Sequence, residues 1–166
     1  LENCEITLPT KPLNSVFDEK GEIALCTLSA INWGNIRSPE DFEKPCELAV
    51  RGLDALLSYQ NYPLIAAEMA TINRRPLGVG IINFAYWLAK NDMNYTDTNL
   101  ELVDEWAEAW SYYLIKASNK LAQEKGPCPK TDETKYGHGR VPIDTRKVEV
   151  DELVAHKERM DWKSLR

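Results

Sequence analysis

From Thr98 to Pro127 apolar side chains recur at helical spacing, and no other stretch of the chain constrains its fold as tightly. Val103, Trp106, Trp110, Tyr113, Leu114, Ala117 and Leu121 fall on one face as residues advance 3.6 per turn. Thr98-Asn99-Leu100-Glu101 has capping-box spacing, and Gly126-Pro127 stops the run. Trp106, Trp110 and Tyr113 could form an aromatic binding stripe, but their helical spacing favours core packing. A second helix start stands at Ser38-Pro39-Glu40-Asp41, with Ser38 as cap, Pro39 at the first helical position and acids at the positive end of the dipole. Leu48, Leu53, Leu56 and Leu57 are its expected buried stripe.

Two segments alternate with period two instead. Residues 5–9 put Ile6 and Leu8 on one face of a short strand that Pro9 ends. Residues 22–28 put Ala24, Cys26 and Leu28 on one face and Ile23 and Leu25 on the other. The loop between holds Pro12, Asn14, Ser15, Asp18 and Gly21, so the pair can close as a wide hairpin that brings Glu5 near Cys26. Residues 74–90 predict a short strand turning into a buried helix. Their Gly78-Val79-Gly80 lacks the third glycine of a nucleotide loop, which favours close packing of neighbouring elements over phosphate binding. Residues 127–142 are rich in turn formers, and the polar tail beyond has only Leu153, Val154 and Met160 to bury. Strands and helices together predict an α/β chain.

At 166 residues the chain can form one domain with a sizeable core. Its net charge of −6 disfavours nucleic acid and anionic lipid as partners. No apolar run reaches membrane-spanning length and no signal sequence is evident, so the expected compartment is the cytoplasm. Leu1 stands where a start Met would, so something is expected to precede it. Cys4, Cys26, Cys46 and Cys128 form no CxxC pair, and His138 and His156 lie far from them in sequence; neither a zinc site nor a disulfide framework is expected. Cys46 and Cys128 read as structural thiols. Arg74 and Arg75 could grip an anion but are expected to be solvated or paired with local acids. Lys11 and Lys20 read as solvated surface. By themselves Cys26 is a small buried hydrophobe and Glu5 a surface carboxylate; facing one cavity, they could serve as a redox-active sulfur and a general base.

A family resemblance sharpens that reading. Glu5-Ile6-Thr7-Leu8-Pro9-Thr10-Lys11-Pro12-Leu13, then Gly21-Glu22-Ile23-Ala24-Leu25-Cys26-Thr27-Leu28-Ser29 and Asn32, resemble the active-site hairpin of class I ribonucleotide reductase large subunits. Similar matches follow in order: Arg51-Gly52-Leu53-Asp54 with Tyr59-Gln60-Asn61-Tyr62-Pro63, residues 74–80 with 82–90, Tyr112-Tyr113-Leu114-Ile115-Lys116-Ala117-Ser118, and Pro142-Ile143-Asp144-Thr145. The resemblance implies a partial segment of a ten-stranded α/β barrel over residues 1–166. Within it, 5–29 would be the active-site hairpin, 38–126 a helical and barrel-strand segment, and 127–166 a polar C-terminal segment.

It also implies radical reduction of ribonucleoside diphosphates to deoxyribonucleotides, inactive without complementing segments. Glu5 would match the base that takes the 3′ hydroxyl proton, and Cys26 one thiol of the reducing pair, its partner coming from sequence before Leu1. The segment itself would bind no cofactor; the family uses a metal-generated radical on a separate small subunit, with ATP and dNTP effectors bound elsewhere. Implied partners are the rest of the large subunit, the small subunit, the substrate, and thioredoxin or glutaredoxin as reductant.

The family motif runs Asn-x-Cys-x-Glu, whereas this chain reads Asn3-Cys4-Glu5. Glu5 and Cys26 are 21 positions apart, which keeps the family register and puts Asn3 where the radical cysteine belongs. Either a shortened loop makes Cys4 the radical cysteine, or the residues before Cys4 are foreign and the true cysteine lies on another piece. The second reading is preferred, because Asn3 before Cys4 resembles an intein's last residue and its downstream nucleophile. A non-catalytic relic or assembly module, and a cobalamin-dependent reductase fragment, are the alternatives.

Overall fold

The computed structural model describes residues 21–166. Strand β1 (Thr27–Asn32) is followed by two 3-10 turns, then helix α1 (Glu43–Tyr59), helix α2 (Ile65–Arg74), strand β2 (Leu77–Ile82), helix α3 (Phe84–Lys90) and helix α4 (Leu100–Lys125). Four further 3-10 turns and one short helix, α5 (Val148–Asp151), complete the chain. β1 and β2 pair in parallel, Thr27 opposite Leu77 through Asn32 opposite Ile82. Parallel strands need a long crossover, which α1 and α2 supply. The chain is thus mixed helix and strand, as expected of an α/β class.

The second predicted strand starts late. Residues 22–26 lie off the ladder, and extended pairing begins only at Thr27. Ile23 donates its amide to the Ala66 carbonyl (3.1 Å) and Glu22 is drawn into buried ion pairs, so the chain here is tied to α2 rather than to a strand. The proposed hairpin partner, residues 5–9, lies outside the described residues.

Ser38 and Pro39 do open a helical segment, but first as a 3-10 turn, Pro39–Phe42, with no capping bond from the Ser38 side chain. In α1 the buried positions are Cys46, Val50, Leu53, Asp54 and Leu57. Leu48 and Leu56, expected in that stripe, are 62% and 50% exposed because they lie on the side away from β1 and α4. The cap of α4 is Asn99, whose side chain accepts from the Leu102 amide (3.2 Å), not Thr98. Thr98 instead donates its hydroxyl to the Asn94 carbonyl (2.5 Å). Gly126 closes the helix at φ +88°, a region its missing Cβ makes accessible.

The core gathers around Trp33, Phe42, Trp87 and Trp106. Trp33 meets Phe42 edge-on at 5.4 Å and Trp87 at 5.3 Å, while Trp87 and Trp106 stand 4.9 Å apart. Each such pair adds about 0.5–1.5 kcal/mol beyond the burial itself. Trp106 and Tyr113 are therefore core residues, as the spacing predicts. Helix α3 is less buried than expected: Trp87 and Leu88 are covered, but Tyr86 is 55% exposed.

The C-terminal segment is better packed than its polarity suggests. Val141 and Trp162 are buried, Met160 packs against them, and Leu153, expected inside, is exposed. Trp162 reaches the core because the Glu108 carboxylate on α4 accepts its indole N–H at 2.9 Å. Among the described residues no helix is long and apolar enough to cross a membrane.

Candidate active site

The parallel pair has two unlike faces. Thr27 turns toward α1, its hydroxyl donating to the Leu53 carbonyl at 3.3 Å, and Ile31 is buried on the same side. On β2, Val79 packs against the cluster that holds Ile31, and Leu77 against a second cluster of Val50, Ala117 and Leu121. The alternate positions, Leu28, Ala30 and Asn32 on β1 with Gly78, Gly80 and Ile82 on β2, form the other face. Leu28 and Ile82 there are 75% and 52% exposed. Gly78 is a close-packing glycine, as expected: a Cβ on it would stand 2.5 Å from Leu28 Cδ2. The glycine-rich run thus sits within a strand and cradles a leucine.

Cys26 is exposed and immediately precedes β1. It stands outside the core, two residues before Leu28, the first residue of the open face. The expectation of Cys26 as a buried hydrophobe is corrected accordingly. Glu5, Cys4 and Asn3, the other candidate residues, lie outside the described residues. At the far end of the pair, Asn83 adopts φ +61° and donates from its carboxamide to Asn32 Oδ1 at 3.1 Å.

Two ties hold the approach to Cys26. On one side Glu22 receives Arg74 Nε at 2.9 Å and lies 3.4 Å from Lys130 Nζ; Arg74 and Lys130 also meet Glu133, each at 3.2 Å. Burial raises the Glu22 pKa, but the bond and charge of Arg74, with Lys130, outweigh it and hold the carboxyl below its usual range. On the other side stands the Thr27 hydroxyl bond. Arg75 forms a parallel arrangement with Asp54, Nε to Oδ1 at 2.5 Å, assisted by Lys125. Both arginines are therefore paired with acids.

The other described thiols are structural. Cys46 is wholly buried, and desolvation pushes its pKa up to about 12. Cys128 lies in a loop against Thr131. Among the described residues no cluster of His, Cys, Asp or Glu is arranged to hold a metal ion.

This architecture can be set beside known proteins. The family model described as "Ribonucleotide reductase, barrel domain" matches residues 3–166. The chain belongs to that family. It is 52% identical over 163 residues to the ribonucleoside-diphosphate reductase subunit alpha of Buchnera aphidicola from Acyrthosiphon pisum, covering 98% of this chain and 21% of that protein. The Haemophilus influenzae subunit alpha is also 52% identical, over 98% of this chain and 22% of its own length. The Escherichia coli ribonucleoside-diphosphate reductase 1 subunit alpha is 53% identical over 98% and 21%. The chain thus spans about a fifth of the length of these relatives.

Sequence reasoning missed the Glu22–Arg74 pair, because Glu22 looked like an ordinary strand residue. The two adjacent arginines were the available signal, but their partners are set by the fold.

Proposed function

We propose that this chain supplies part of the catalytic barrel of a ribonucleoside-diphosphate reductase large subunit, a ten-stranded barrel completed by other segments. The observation that carries the reading is the family match over residues 3–166, joined to an exposed Cys26 directly before the first strand of a parallel pair. Residues 5–29 would form the active-site hairpin, 38–126 the helical and barrel-strand part, and 127–166 the C-terminal part.

In this role Glu5 takes the 3′ hydroxyl proton after a thiyl radical has removed the 3′ hydrogen. The 2′ hydroxyl leaves as water. Cys26 and a second thiol from another segment supply two electrons and two protons and close as a disulfide. Cys4 stands one residue before Glu5, where the family pattern places its radical thiol two residues before. Asn3 occupies that family position. The radical would originate at a metal centre on a separate small subunit, and effector nucleotides would bind elsewhere. Thioredoxin or glutaredoxin would reopen the disulfide in the cytoplasm.

The test is a reductase assay on this chain combined with its complementing large-subunit segments and the small subunit. Turnover is expected from the complex and none from the chain alone, and Cys26→Ser should abolish turnover driven by thioredoxin. An unchanged rate in Cys26→Ser would favour the non-catalytic assembly role. Mass spectrometry of the active complex tests Cys4: a continuous peptide through Leu1-Glu2-Asn3-Cys4 supports Cys4 as the radical cysteine.

A further inference from the structure

Ala24, Leu25 and Cys26 form an exposed span between two anchored points. Upstream, the Glu22 and Arg74 side chains are 6% and 8% exposed, and the Ile23 amide is bonded to the Ala66 carbonyl in the first turn of α2. Downstream, Thr27 is bonded to α1. Among the described residues these two ties flank the span, and β1 begins at Thr27 directly after Cys26.

The upstream tie joins three parts of the chain. Arg74 comes from the last residue of α2 and reaches both Glu22 and Glu133, while Lys130 bridges the same two acids and donates its own backbone amide to the Asn73 carbonyl at 3.0 Å. Two acids and two bases in one alternating cluster balance charge, and burying the Glu22–Arg74 pair makes it intolerant of losing one member. We propose that Arg74, acting through Glu22, is a positioning residue for the Cys26 thiol. This rests on the reading of Cys26 as a reducing thiol. A thiol that must meet both a nucleotide radical and a partner sulfur tolerates little misplacement, and a shift of about 1 Å can cost up to about 100-fold in rate.

The experiment uses the complete reductase containing this chain, with Arg74→Ala, Arg74→Lys, Glu22→Gln and, as a comparison, Arg51→Ala. Arg51 pairs with Glu47 and Glu124 between α1 and α4 and touches nothing in the Cys26 span. Thioredoxin-coupled kcat is expected to fall about 10- to 100-fold in Arg74→Ala and Glu22→Gln while the KM for the nucleotide stays within about twofold. Arg74→Lys should recover part of the rate, and Arg51→Ala should keep it. The rate of Cys26 alkylation should change in Arg74→Ala and Glu22→Gln alone. Should Arg74→Ala fail to assemble, Glu22→Gln, which retains the carbonyl acceptor, carries the same expectation. Wild-type kcat and alkylation in folded Glu22→Gln would overturn the proposal while leaving the role of Cys26 intact. A neutral Cys26→Ser would overturn both.

Discussion

Removing the carboxylate of Glu108 should loosen the C-terminal segment on α4 at Arg159, Met160 and Trp162. Glu108 is 5% exposed, and its Oε1 accepts three donors: the Arg159 amide at 2.8 Å, the Met160 amide at 3.0 Å and the Trp162 indole at 2.9 Å. Oε2 accepts from the Arg159 guanidinium at 3.2 Å. In Glu108→Ala the indole of Trp162, buried to 1% exposure, loses its acceptor where water has little access. A bond to a charged group contributes about 1.5–3 kcal/mol, and each amide nearer the surface adds about 1, for a loss of about 4 kcal/mol. That is a large part of the roughly 5–15 kcal/mol typical of a whole domain. Glu108→Gln can keep its carbonyl oxygen at the Oε1 position and all three neutral donors. It should therefore lose only about 1–2 kcal/mol, mainly from the Arg159 contact. Chemical denaturation gives the totals, and amide exchange at Arg159 and Met160 shows where they act. Equal losses in Ala and Gln, or an Ala variant within about 1 kcal/mol of wild type with unchanged exchange, would refute the reasoning.

The remaining expectations are more local. Iodoacetamide at neutral pH should modify exposed Cys26 and spare Cys46, whose thiol burial keeps protonated; peptide mapping checks this, and equal labelling would contradict it. Glu101, bonded to His156 first, then to the Ala155 amide and Arg159, has its pKa lowered from 4.5 to about 2. A depressed carboxyl pKa stabilises the fold above pH about 4.5 and loses that contribution as pH falls through about 2. Denaturation of wild type against Glu101→Gln should differ at about pH 5, and the gap should close as pH falls across that acidic window. Gly52 lies in α1 with open space where a Cβ would stand, so Gly52→Ala should stabilise by about 0.5–1 kcal/mol. Gly137→Ala should destabilise, because its Cβ would collide with the Thr131 backbone carbonyl; thermal melting distinguishes the two signs.

Helix α4 was legible because its information is local: the 3.6-residue period and the terminal glycine lie in the helix itself. The same holds for the glycine-bearing strand β2 and for the helical turn at Pro39 that leads into α1, though not for a Ser38 cap. Which leucines of α1 face inward was not legible, because Leu48 and Leu53 are equally apolar and only the placement of β1 and α4 separates them. Trp162 was missed for a similar reason, its partner Glu108 being supplied by a helix 54 positions away.

Cys26 shows the division most clearly. Sequence alone determined its residue type, its spacing to Glu5 and its resemblance to a reducing thiol. Tertiary structure decided that it stands exposed just outside the strand, between ties to α2 and α1. Those ties are made by Glu22 with Arg74 and by Thr27 with Leu53, pairs separated by 52 and 26 positions. Such contacts depend on chain closure through α1 and α2, which no local pattern encodes.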